Sequence, residues 1–92
     1  MKTEKALHMY LKNRCKAIGF YKLECVGQTG WPDLMLISAG RVVFVELKSP
    51  AGTGRLSPRQ KFMLNELSNH GADIYVIDSK EGADALIAEL TR

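Results

Sequence analysis

Apolar residues recur along this chain at two periods, and each change of period marks a new element. Leu7, Leu11, Cys15 and Ile18 follow one another at spacings of three and four, with Ala6 and Tyr10 beside them. This predicts an amphipathic helix, with Thr3 to cap its start and Gly19 to stop its end. Tyr21, Leu23 and Cys25 then alternate with Lys22 and Glu24, the pattern of a strand with one wet face, and Gly27 to Gly30 supply a turn. Asp33 to Ile37 reads as a second short strand, followed by a tight connection at Ser38, Ala39 and Gly40. In the third strand, Arg41 to Lys48, Val43, Val45 and Leu47 take one face while Val42, Phe44, Glu46 and Lys48 take the other. Its first half is apolar on both faces. Such a strand is expected at the centre of a sheet, covered on both sides, with its polar pair emerging only at the C-terminal end.

Residues 49 to 56 contain Pro50, Gly52 and Gly54 and read as a mobile loop. Ser57-Pro58-Arg59-Gln60 follows, placing a Ser N-cap, a Pro at the first helical position and a Gln at the third. Phe62, Met63, Leu64 and Leu67 are expected to give this helix its core contacts, with Gly71 ending it. A fourth strand, Ile74 to Ile77, and a last helix, Lys80 to Leu90, complete the order helix, three strands, helix, strand, helix. The short links between the first three strands suit an antiparallel meander. The fourth strand returns through a helical crossover and should run parallel to the third, with a right-handed connection. The reading is therefore an α/β fold with a mixed four-stranded sheet flanked by helices. No internal repeat or low-complexity linker interrupts it.

Composition narrows the possibilities. Ninety-two residues, 46% hydrophobic and 25% charged, suit a single domain spanning residues 1 to 92 with one modest core. A core that small favours self-association. A formal charge of +3 and a pI near 9.0 favour polyanionic partners only weakly. Cys15 and Cys25 form no Cys-x-x-Cys pair and have only His8 and His70 to assist them, so they read as buried free thiols in a reducing compartment rather than as a zinc site. Residues 1 to 18 carry six charged side chains between Lys2 and Lys16 and do not resemble a signal peptide. No apolar run approaches bilayer length, and the expectation is a soluble cytoplasmic protein without a membrane partner.

Phosphodiester hydrolysis needs oxygen ligands for a hard divalent cation, a water made nucleophilic beside it, and positive charge where the transition state gathers negative charge. Asp33 opens the second strand, while Glu46 and Lys48 share a face of the third, about 6.6 to 7 Å apart. Taken singly, Pro-Asp is an ordinary turn dipeptide and Glu-x-Lys an ordinary solvated ladder pair. On adjacent strands with apolar flanks, both carboxylates can face one metal and the ammonium its water.

Pro32-Asp33, twelve intervening residues and Glu46-Leu47-Lys48 resemble the motif of the PD-(D/E)xK nuclease superfamily. Together with Gly30-Trp31-Pro32-Asp33-Leu34, Phe44-Val45-Glu46-Leu47-Lys48 and Gly54-Arg55-Leu56-Ser57-Pro58-Arg59-Gln60, the chain looks like the VRR-NUC branch, although it has no contiguous Val-Arg-Arg triplet. The resemblance implies a restriction-endonuclease-like αβββαβα core. It also implies that Asp33 and Glu46 bind Mg²⁺ or Mn²⁺, that the backbone carbonyl of Leu47 adds a ligand, and that Lys48 orients or activates the attacking water. Glu4 corresponds to the family's additional metal-site carboxylate, while the helix macrodipole explains an acid at that position equally well. Gln60 matches the family's glutamine beside the lysine, and is also the third-position partner of a capping box.

Arg55, Arg59 and Lys61 flank the loop that leaves Lys48 and are the candidate DNA contacts, whereas Lys5, Lys12 and Lys16 on the first helix read as solvated surface. Trp31 could stack on a base but reads better as packing under its turn. The function implied is a metal-dependent DNA endonuclease. The small phage-type members resemble junction resolvases, which suggests branched DNA as substrate, a homodimer, and a bacterial or phage-infected host cell. Structure-indifferent trimming or restriction, and DNA binding without turnover, are the alternatives.

Overall fold

A computed structural model describes residues 3–25, 30–38, 40–51 and 55–92. The loop expectations at Gly27 and at Gly52 to Gly54 therefore lie outside the described residues, as does Ala39 of the connection at residues 38 to 40. The elements are α1 (Glu4–Ala17), β1 (Tyr21–Glu24), β2 (Leu34–Ser38), β3 (Arg41–Leu47), α2 (Pro58–Asn69), β4 (Asp73–Ile77) and α3 (Lys80–Leu90). Their order is the one read from the sequence.

Local chemistry sets the ends of the helices. Thr3 Oγ1 accepts from the Ala6 amide at 3.0 Å and caps α1. Beyond its last turn Gly19 adopts φ 81°, which lets the Phe20 amide reach back to the Cys15 carbonyl at 2.9 Å. Ser57 and Gln60 close a complete capping box on α2 with Pro58 inside the first turn, and Ser79 caps α3.

The four strands form one sheet in the order β1-β2-β3-β4. β1, β2 and β3 pair antiparallel, with Leu34 opposite Val45 and Leu36 opposite Val43, and β4 pairs parallel to β3. One face is sealed. Val43, Val45, Leu47, Leu34, Leu36 and Ile77 pack there against Leu7, Leu11 and Cys15 of α1 and Ala83, Leu86, Ile87 and Leu90 of α3. Truncating a member as buried as Leu11 to alanine costs about 2 to 5 kcal/mol. Cys15 is a free thiol in this core, and burial pushes its pKa up to about 11. Cys25 is also free but only half-buried.

Two packing expectations are corrected. β3 is central, yet its second face is only partly covered: Val42 is 46% exposed, and Leu23 and Val76 on the same sheet face are 50% and 47% exposed. α2 packs on β4 and leaves the rest of that face open. Phe62, expected in the core, is 56% exposed. Leu64 is the buried residue of α2, and two residues along a helix turn about 200°, so Phe62 faces away from it.

Candidate active site

The sheet ends where its chemistry begins. Pro32, fully buried, fixes the backbone just before Asp33, and the Asp33 carbonyl accepts from the Cys25 amide at 2.8 Å, extending the β1–β2 pairing by one rung. So anchored, Asp33 reaches across to β3, where its Oδ2 accepts from the Leu47 amide at 2.8 Å. Gly30 sets the approach. It has φ 83°, and a Cβ built there would lie 2.9 Å from Arg59 Cγ and 3.1 Å from the Arg59 carbonyl oxygen, so the turn before Asp33 sits directly on the start of α2.

Glu46 follows from strand alternation, which points it to the face that α2 covers. It is 2% exposed, the one buried charged residue among those described. Its Oε2 accepts from Gln60 Nε2 at 2.8 Å and lies 3.1 Å from Lys48 Nζ. Lys48 also donates to Gln60 Oε1 at 3.1 Å, and that same oxygen accepts from the Ser57 amide at 2.9 Å. Gln60 therefore serves the helix cap and the cluster at once. Glu46 Oε1 is buried and has no hydrogen-bond partner.

Burial holds the Glu46 carboxyl above the usual carboxylate range. The neighbouring Asp33 carboxyl raises it further, against the lowering effect of Lys48. Two adjacent carboxylates with one ammonium leave net negative charge and an unfilled oxygen. That is the donor set of a hard divalent cation.

Asp33 and Leu47 open onto a cavity of about 440 Å³ whose wall also includes Glu4, Lys5, His8, Glu24 and Cys25. Glu4, in the first turn of α1, thus borders the space in front of Asp33, but no three His, Cys, Asp or Glu side chains among the described residues converge closely enough to form a ready metal cage. Arg55, Arg59 and Lys61 are exposed around the start of α2, and Trp31 is half-buried. His8, Lys22 and Glu24 were not singled out by sequence reasoning. Lys22 Nζ lies 3.4 Å from His8 Nε2 and 3.7 Å from Glu24 Oε1, so the three form one polar wall. The signal available was positional, since His8 lies one helical turn beyond Glu4.

The family model of the VRR-NUC domain matches residues 4–81. A solved structure described as a VRR_NUC domain is similar over 96% of this chain and 97% of its own, at 28% identity and a TM-score of 0.81. No curated protein matches the chain.

Proposed function

The chain belongs to the VRR-NUC domain family of nuclease-type hydrolases, and from that premise we propose a divalent-metal-dependent endonuclease that cleaves DNA at Asp33, Glu46, Lys48 and Gln60. The observation that carries this reading is Glu46 Oε1, a buried oxygen with no partner beside a second carboxylate. A buried carboxylate oxygen left in that state is costly, and a cation is the partner that removes the cost for both acids together. Asp33, Glu46 and the Leu47 carbonyl are the groups that would hold it, with Glu4 at the cavity wall as a further carboxylate.

Mg²⁺ or Mn²⁺ bound there supplies Lewis-acid polarisation of a phosphoryl oxygen and a water of lowered pKa. The protein's own groups do the rest. Lys48 has three ammonium protons; Glu46 Oε2 and Gln60 Oε1 engage two of them. The third is left to donate to the attacking water or to the phosphoryl oxygen on which charge builds. Gln60 fixes the ammonium from one side and Glu46 from the other, so the donor is oriented before substrate arrives.

The preferred substrate is branched DNA, a four-way junction above all, and the working form is a homodimer. Ninety-two residues leave little surface for reading bases, so selectivity follows DNA shape. The open sheet face presents Leu23, Val42, Phe44 and Val76 among the described residues, an apolar surface that complements a second copy of itself. Incubation with labelled four-way, flap, single-stranded and duplex DNA, with Mg²⁺ or Mn²⁺ and with chelator, tests the whole reading. Cleavage that requires metal and is lost in Asp33→Asn is expected. Cleavage indifferent to chelator would sink the metal assignment, and equal rates on all four substrates would sink the substrate preference.

A further inference from the structure

A second cavity, of about 420 Å³, lies farther along α1 than the first and has Lys12, Lys16 and Lys22 in its wall. At about 100° per residue, Lys5, Lys12 and Lys16 fall within about 40° of one another around the helix and span about 16.5 Å of its axis. Lys5 borders the catalytic cavity beside Glu4 and Asp33, so the stripe begins there and leads away from it. Tyr10 and Arg14, on the opposite flank of α1, bond Asp84 of α3, which leaves the lysine flank turned toward the sheet edge formed by β1. Lys22 of β1 stands opposite Leu36, so its side chain rises on the α1 side of the sheet, and its ammonium meets His8 and Glu24 on the wall of the first cavity.

The flank has the chemistry that meets a phosphate backbone rather than bases. Lys5, Lys12 and Lys16 are exposed, and none forms an ion pair among the described residues. Charge is divided along the chain to match: residues 1–25 carry six basic and two acidic side chains, residues 73–92 two basic and five acidic. A polyanion is thus drawn to the edge of α1 and β1 and repelled by the edge of β4 and α3. No exposed aromatic side chain accompanies the lysines among the described residues: Phe20 packs against the core, and Tyr21, opposite Ile37, points to the other face of the sheet. A single strand is held by stacking as well as by charge, whereas a duplex keeps its bases inside and presents one phosphate charge per ~1.7 Å of axis, which lysines alone can meet.

Resting on the nuclease reading above, we infer that this flank of α1 is a track for the sugar-phosphate backbone of a duplex arm of the DNA substrate, with Lys12 and Lys16 on phosphates remote from the cut and Lys5 guiding the same arm into the catalytic cavity. The track reads charge and not sequence. It lies on the α1 side of the sheet, opposite the face assigned to the dimer, so an arm and a second copy can be bound together. Lysines that periodicity alone reads as solvated surface thereby align a duplex on the site.

The test reads binding in a Glu46→Gln background, where turnover does not intrude. Branched DNA with duplex arms is titrated with this protein and with versions that add Lys12→Gln/Lys16→Gln, Lys12→Arg/Lys16→Arg or, at the acidic end, Lys80→Gln/Arg92→Gln. The Lys12→Gln/Lys16→Gln variant should bind on the order of tenfold more weakly and lower the slope of log K against log salt by about 1.8, the value for two lost phosphate contacts on a duplex. The arginine pair should restore both, and Lys80→Gln/Arg92→Gln, which removes the same charge elsewhere, should leave the slope unchanged. Methylphosphonates, each neutralising one phosphate, are then placed at successive positions along an arm. They should weaken binding over a short run of positions, and the Lys12→Gln/Lys16→Gln variant should lose that sensitivity there alone. Lys12 and Lys16 are exposed, so an unchanged melting temperature will show that the fold is intact. Equal losses in the two glutamine variants, a methylphosphonate pattern indifferent to the lysines, or a lysine effect confined to single strands would overturn the assignment. Failure of the nuclease reading appears elsewhere, as a wild-type protein that cuts no DNA while these binding results stand.

Discussion

Glu46 shows how one side chain links stability to the proposed chemistry. Its carboxyl is held above the usual range by burial first and by Asp33 second, so the folded state binds that proton more tightly than the unfolded chain does. Folding is favoured by this group in acid and penalised as pH rises from about 4.5 through the raised value. Glu46→Gln should therefore raise the melting temperature of the metal-free protein at pH 7, by a few degrees where ~1 kcal/mol is worth about 4 to 8 °C. The gain should disappear below the ordinary carboxylate range. Calorimetry across pH checks this, and an equal effect at every pH would show that charge burial is not its origin. Mg²⁺ or Mn²⁺ should raise the wild-type melting temperature at pH 7 and leave Glu46→Gln unmoved. In single-turnover cleavage, Asp33→Asn and Glu46→Gln should each lose at least about a hundredfold, since even partners outside the ligand shell cost 10- to 100-fold. Lys48→Ala should lose turnover while still binding metal by titration calorimetry. Weaker metal binding with normal turnover at saturating metal would contradict the role given to Lys48.

At the scale of elements, helix caps and turns hold the site's geometry. Gln60 bonds the Ser57 amide, Glu46 and Lys48 together, so the first turn of α2 and the end of β3 are one hydrogen-bonded unit. Ser57→Ala should cost about 1 kcal/mol as a lost cap. It should also reduce kcat by up to about tenfold as Gln60 loosens, and an unchanged kcat would separate the cap from the catalytic cluster. Gly30→Ala is expected to be worse, combining about 1 to 2 kcal/mol of left-handed strain with a Cβ 2.9 Å from Arg59 Cγ, and chemical denaturation measures it. These local devices were legible in the sequence because their signals are local: Ser57, Pro58 and Gln60 mark a helix start, and the Val43, Val45, Leu47 alternation assigns faces without tertiary knowledge. Packing was less legible. Whether α2 would cover Val42, or turn Phe62 inward, depends on where a helix lands on a sheet, which periodicity does not specify. His8, Lys22 and Glu24 escaped notice for the same reason, since a charged residue on a wet face looks alike whether it borders solvent or a cavity.

At the scale of the molecule, what one copy leaves open bears on how DNA would be cut. Helices α1 and α3 seal one face of the sheet, whereas Leu23, Val42 and Val76 on the other and Phe62 on α2 remain about half exposed. Glu46 lies on that second face but is already buried in one copy beside Gln60 and Lys48, so pairing two such faces takes its carboxyl no further from water. A two-fold pairing of this kind would bury apolar surface that a 92-residue core needs and would supply the two active sites that a four-way junction requires. The expected outcome is a homodimer at micromolar concentration by light scattering, shifted toward monomer by Val42→Glu or Val76→Glu. Each substitution places a charge on the paired faces, yet spares the monomer's own core because both positions are about half exposed in one copy. A mixed dimer containing one Glu46→Gln chain should nick a junction without resolving it, because each site serves one strand. If Val42→Glu stays dimeric, the interface lies elsewhere on the surface. If the protein is monomeric and still resolves junctions at full rate, the two-site argument fails and a single-site nuclease that acts on each strand in turn takes its place.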